Sequence, residues 1–207
     1  RAQRLRTIES QGIDAALLIK FDKAFSRKPG AEFVQELADG FGTIHSICVG
    51  INFAFGHKRD GNVKLLRTLG QALSFHVHGL RAVSLDGQVV SSTRIRDAVR
   101  DGRLDDAGQM LGRTFAIEGT VIEGERQGRE LGFPTANLDT DGLVLPPNGV
   151  YAVHARLGQE THRAVLNIGL RPTLASLEPA LQVEAHLLDF NGELYGKAME
   201  IELVERL

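Results

Sequence analysis

A single cysteine, Cys48, stands among the 207 residues, which excludes an internal disulfide and a cysteine-built metal cage and agrees with a reducing interior. No apolar run approaches the length of a bilayer span, and the opening segment R-A-Q-R-L-R-T-I-E-S lacks the apolar centre of a secretory signal. The expected compartment is therefore the cytoplasm, with no membrane partner. Charge of one sign is also missing: 24 basic against 26 acidic residues leave a net charge of −2, so the chain is not built around nucleic acid. Aromatics make up only 6%, too few to suggest a stacking platform for single strands. What remains is an ordinary globular composition, 43% hydrophobic and 24% charged, in a length that holds one large domain or two small ones.

The chain has no G-x-x-x-x-G-K-[ST] loop either, yet it carries one segment with the makings of a phosphate cradle. In G-T-V-I-E-G-E-R-Q-G-R-E-L-G-F-P-T-A-N, residues 119–137, glycines recur at 119, 124, 128 and 132. That spacing interrupts regular structure and lets backbone amides point into one concavity. Without a P-loop lysine, Arg126, Arg129 and bare amides must supply the positive potential. Pro134 fixes the backbone at the end of the segment. Thr135 and Asn137, at alternating positions, present a hydroxyl and an amide oxygen to one side, hard ligands suited to magnesium. The plainer alternative is a glycine-rich hairpin loop of any β protein.

The pattern G-x-V-x-x-G-x-x-x-G-R-x-L-G-F-P-T-A-N resembles the signature of riboflavin kinase within the bacterial family of bifunctional riboflavin kinases and FMN adenylyltransferases. The resemblance implies ATP bound by Gly124, Arg126, Gly128, Arg129, Gly132 and Pro134, and Mg²⁺ held through Thr135 and Asn137. It also implies flavin substrates and products: riboflavin, FMN and FAD.

The first half reads as strand and helix in alternation. Residues 1–12 suit a helix stopped at Gly12, and 13–21, I-D-A-A-L-L-I-K-F, suit a strand buried on both faces of a parallel sheet. A helix over 31–38 and a second buried strand over 43–50, with Cys48 packed inside it, follow. The loop G-I-N-F-A-F-G-H-K-R-D-G-N, 50–62, lies past the carboxyl end of that strand, where α/β sheets place binding loops. Phe53 or Phe55 could face a flat ring while Asn52 fixes it, or both could be core of a hairpin. The loop resembles G-x-[DN]-F-x-F-G of the same family, which implies that Asn52 and Phe55 handle flavin in an adenylyltransferase half.

A helix over 62–69 closed by Gly70, and strands over 72–78 and 80–85, lead to S-S-T-R-I-R. One of Ser91, Ser92 and Thr93 should cap a helix, and Arg96 adds charge beside free amides. Such a start can bind phosphate or merely cap the helix without a ligand. The run resembles a phosphate-handling motif of the family's nucleotidyltransferases, which implies that role for Ser91, Ser92, Thr93 and Arg96. The family's first catalytic motif, histidine, any residue, glycine, histidine, does not occur. It is expected upstream of Arg1, and this stretch alone is expected to adenylylate FMN poorly.

Past L-G-R-T-F, which starts at Leu111, short alternating segments replace the earlier pattern, at 115–122, 150–157, 164–168, 182–188 and 199–204, with turn residues at Asn148, Gly149, Asn191 and Gly192. The expected architecture is α/β plus β: an incomplete Rossmann-like nucleotidyltransferase domain at 1–110, then a small antiparallel riboflavin-kinase barrel at 111–207. In Q-V-E-A-H-L-L-D-F, Val183, Ala185 and Leu187 fall on one face with Glu184 and His186 on the other. By pattern alone Glu184 could be a solvated surface carboxylate. The resemblance implies instead that it is the base for the ribityl hydroxyl, since it follows N-I-G-L-R-P-T and precedes D-F and L-Y-G. His186, His76 and His78 lack the further ligands a metal centre needs. The family continues past E-L-V-E-R-L into a helix that helps close the flavin site, so the chain reads as cut at both ends. The expected activity is ATP-dependent phosphorylation of riboflavin; a flavin- or nucleotide-binding module without turnover is the alternative.

Overall fold

The computed structural model describes residues 2–123, 135–171 and 180–207. The chain divides into two compact units, Arg1–Val89 and Val90–Leu207; the sequence reading set its boundary at 110/111.

The first unit opens with α1 (Ala2–Glu9), ended at Gly12 with φ 75°. Residues 13–21 are not the expected strand. They have no regular structure, and Ile13, Leu17, Leu18, Ile19 and Phe21 are exposed. Apolar composition gives a segment affinity for a sheet, but a strand exists only where a neighbour takes its hydrogen bonds. Next come α2 (Gly30–Phe41), β1 (Ser46–Gly50), the hairpin β2 (Ala54–Phe55) and β3 (Gly61–Asn62), then α3 (Val63–Leu73) and β4 (His76–Leu80). β1 and β4 pair in parallel, Ile47 opposite Val77. A small core of Val34, Leu66 and Phe75 gathers Ile47, Val49 and Val77 against it. Only one face of β1 is therefore covered, and Cys48 on the other face is exposed, contrary to the expected two-sided burial.

α3 is capped by Asn62, whose side chain accepts from Leu65 N–H at 3.0 Å. It runs through Gly70 instead of stopping there, and ends at Ser74 with φ 62°. Gly70 is needed for space: a Cβ would lie 2.5 Å from the Phe75 carbonyl. The strand expected from 72 accordingly starts only at His76. β5 (Ser84–Leu85) and β6 (Gln88–Val89) form a hairpin.

The second unit begins with α4 (Ser92–Arg100) and α5 (Leu104–Leu111), which bury Ala98, Val99 and Ala107 with Met110, Phe115 and Val144 packed against them. Six strands follow: β7 (Ala116–Ile122), β8 (Ala136–Asp139), β9 (Gly149–Leu157), β10 (Glu160–Arg171), β11 (Ala180–Leu187) and β12 (Ala198–Arg206). They close into an antiparallel barrel in the order β10-β11-β8-β7-β12-β9. Closure removes free sheet edges, and a register shift between Leu203 and Glu205 of β12 supplies local bending. The interior is filled by alternate residues, among them Val121, Leu138, Val153, Leu166, Ile168, Val183, Ala185, Met199 and Ile201. Each fully buried Leu or Ile contributes about 1.5–3 kcal/mol by leaving water. Tyr151 is buried too, and its hydroxyl donates to the Pro147 carbonyl.

Two local readings come out differently. The short strand β8, which the sequence did not set out as a strand, occupies the end of the P-T-A-N run. In the β11 to β12 connection, where Asn191 and Gly192 were expected as the turn, the turns fall at 188–189 and 195–196.

Candidate functional site

Period-two alternation sets which β11 side chains leave the barrel. Val183, Ala185 and Leu187 are buried inside, so Glu184 points outward and is half-buried. Its direct partner on β8 is Asn137, and its direct partner on β10 is Asn167. Opposed residues in an antiparallel pair share a face, with Cα atoms about 4.5–5.5 Å apart. The carboxylate thus stands between two carboxamides on the outer wall. The row continues to Ile122 on β7 and Val150 on β9, both substantially exposed.

The Oδ1 of Asn137 is buried and meets no hydrogen-bond donor among the described residues. A buried acceptor left without a partner costs about 1–3 kcal/mol, which a ligand supplying positive charge would recover. Thr135, two residues before Asn137, lines a cleft of about 270 Å³ with Val121, Ala136, Leu187 and the 190–195 segment of the β11 to β12 connection. Among the described residues no group of three or more His, Cys, Asp or Glu could hold a metal ion. The donors present, an amide oxygen, a hydroxyl and a neighbouring carboxylate, are all hard oxygens. They fit Mg²⁺, which keeps several waters and takes few protein ligands when phosphates complete its shell. Gly124, Arg126, Gly128, Arg129, Gly132 and Pro134, expected to bind ATP, lie outside the described residues, as do Pro172 and Thr173 of N-I-G-L-R-P-T.

In the first unit, Phe55 lies in an aromatic pocket of about 350 Å³ lined by Phe21, Phe25, Phe33, Lys28 and Arg59. Phe33 meets Phe55 edge-on at 6.2 Å, and Phe53 stacks on Phe55 at 5.4 Å. Gly56, with φ 75°, is forced here: a Cβ would stand 2.2 Å from Asp60 Oδ1, the oxygen that accepts from Gly30 N–H at 3.1 Å at the start of α2. Asn52 is exposed in a turn and does not line this pocket. Phe21, Phe25 and Phe33 join this pocket from outside the 50–62 loop, and the spacing F-x-x-x-F in 21–25, beside two lysines, is the sequence signal for them.

At the start of α4, Ser91 accepts from Arg94 N–H at 3.2 Å, so capping is one of its uses. Ser92, Thr93 and Arg96 are exposed.

Two family models match the chain: riboflavin kinase over residues 111–207 and FAD synthetase over residues 1–94. The chain is 36% identical over its whole length to the bifunctional riboflavin kinase/FMN adenylyltransferase of Haemophilus influenzae, covering 68% of that protein. It is 35% identical to the Escherichia coli K12 protein of the same name, over 99% of this chain and 65% of the relative. Against that of Pseudomonas fluorescens it is 37% identical, over 100% and 66%. The chain thus spans about two thirds of the length of these relatives. A crystal structure titled macrolide-efflux protein, from Streptococcus pneumoniae, superposes with a TM-score of 0.81 at 28% identity, over 100% of this chain and 66% of that one. Among the described residues no helix is long and apolar enough to cross a membrane. A barrel of the riboflavin-kinase type in one chain with an FAD-synthetase match defines a flavin-nucleotide transferase. The chain belongs to the family of bifunctional riboflavin kinase/FMN adenylyltransferases.

Proposed function

We propose that the barrel half transfers the γ-phosphoryl group of ATP to the terminal hydroxyl of riboflavin, giving FMN and ADP. The observation that carries this reading is the placement of Glu184 directly opposite Asn137, whose amide oxygen is buried without a donor. Glu184 accepts the proton as the hydroxyl oxygen bonds to phosphorus and the bond from the γ-phosphorus to the bridging oxygen breaks. Asn137 and Thr135 would hold Mg²⁺, which would supply charge neutralisation for the transferring phosphoryl group. The segment with Gly124, Arg126, Gly128, Arg129, Gly132 and Pro134 cradles ATP, a role supported by its glycine spacing and two arginines.

The other half is an FMN adenylyltransferase domain. Phe55 and its neighbouring phenylalanines offer flat apolar walls, with Lys28 and Arg59 at the same pocket to meet an anionic tail. Asn52 is the proposed polar contact at that flavin, and Ser91, Ser92, Thr93 and Arg96 the proposed phosphate contacts at the α4 start. Formation of FAD from FMN is assigned to the whole protein. The start of the riboflavin-kinase match at 111 favours a domain boundary at 110/111, whereas the compact units divide at 89/90 and the FAD-synthetase match ends at 94; a cytoplasmic setting is supported by the free thiol of Cys48.

Incubation with riboflavin, ATP and Mg²⁺, followed by chromatographic separation of the flavins, tests this. Appearance of FMN is expected; riboflavin left unchanged at substrate-saturating enzyme removes the proposal.

A further inference from the structure

The row that holds Glu184 is polar on both sides of the carboxylate, and the two sides are not equivalent. Asn137 has a buried oxygen and lies two residues from Thr135 at the cleft. Asn167, on the opposite side, is exposed, and its amide lies along its own strand within reach of Gly169, whose added Cβ would sit 3.8 Å from both Asn167 Oδ1 and Nδ2. Beyond it the row ends at Val150, 40% exposed.

Phosphoryl transfer needs the attacking and leaving oxygens roughly in line across the phosphorus. With Asn137 and Thr135 assigned to the metal, Asn167 is the polar cross-strand neighbour of Glu184 that remains for the acceptor alcohol. The remainder of its carbon chain then runs over β10, across Asn167, towards Val150. We infer that Asn167 reads the secondary hydroxyls of the polyol chain and is a specificity-determining residue of the kinase site. A carboxamide both donates and accepts, so it can pair with a hydroxyl that does the same. An alkyl chain in its place would leave the amide unpaired, and Val150 suits the apolar ring that follows.

This inference rests on the kinase reading, and the test separates the two. Two flavins are compared as phosphate acceptors: riboflavin, and an analogue whose side chain keeps the terminal hydroxyl but has no secondary ones. Wild type should prefer riboflavin in kcat/KM by on the order of tenfold or more, because a site built around hydroxyls penalises their loss. Asn167→Ala should lose most of that preference, falling about tenfold on riboflavin and hardly at all on the analogue. Asn167→Ser, which retains a hydroxyl, should recover part of it. If Asn167→Ala slows both acceptors equally and the preference stands, Asn167 does not read the chain, and this inference is overturned with the kinase reading intact. If wild type phosphorylates neither acceptor, the kinase reading itself fails.

Discussion

Asn137 on β8 and Glu184 on β11 are direct cross-strand partners, so an amide oxygen without a hydrogen bond and a half-buried carboxylate share the outer wall of the barrel. An acceptor of this kind contributes nothing to the fold that holds it. On the proposed kinase reading, its value lies in the metal it would bind.

Asn137→Ala should therefore separate stability from ligand binding. Removing a buried, unpartnered oxygen leaves thermal stability without ligands unchanged or slightly raised. The Mg²⁺ concentration for half-maximal activity should rise on the order of tenfold or more, since a charge-assisted contact is worth about 1.5–3 kcal/mol. Calorimetric titration with ATP and Mg²⁺ should show the same weakening. Equal Mg²⁺ dependence in both proteins would remove Asn137 from the metal site.

The aromatic pocket makes a prediction confined to the first half. Phe55→Ala removes the ring that Phe33 and Phe53 contact. FMN binding, read by quenching of flavin fluorescence in the full-length protein, should weaken a few-fold to about tenfold, the range of an aromatic pair worth about 0.5–1.5 kcal/mol. Riboflavin phosphorylation by the barrel should stay within twofold or so of wild type, since Phe55 shares no partner with the barrel site among the described residues.

Barrel closure rests on its filled interior. Leu166, at 0% exposure between β9 and β11, should cost about 2–5 kcal/mol when changed to Ala. Urea unfolding followed by circular dichroism measures it, with the midpoint falling at an unchanged slope.

Tyr151 links the barrel to pH. Burial raises its hydroxyl above the ordinary value of 10.0, with Arg206 acting the other way. The folded state therefore holds the proton more tightly than the unfolded chain. This stabilisation is complete below the unfolded value of about 10 and declines as pH rises through the higher folded one. Unfolding free energy should fall above about pH 10 in wild type, and less steeply in Tyr151→Phe. Identical slopes would refute the linkage.

Much of the barrel was legible because one interior demands strict alternation: residues 182–187 announce which side chains enter and which leave. The outward position of Glu184 followed from that pattern, whereas its two partners did not, since register depends on strands far apart in sequence. Asn167 was read only as part of a strand end for this reason. In the first half, apolar runs at 13–21 and 43–50 looked alike, yet only the second found a pairing strand. Gly70 looked like a stop because a glycine at a helix end usually is one. Its actual reason, the approach of the Phe75 carbonyl, lies in tertiary contact that no local pattern records.

The most direct measurement is phosphate transfer from ATP to riboflavin by Glu184→Gln beside wild type, with flavin and ATP affinities determined on the same samples. The amide keeps the shape of the side chain and cannot take the proton. FMN formation should fall by about 10²–10⁴-fold while both affinities stay within a few fold. A Glu184→Gln protein that makes FMN at the wild-type rate would contradict the role assigned to this carboxylate.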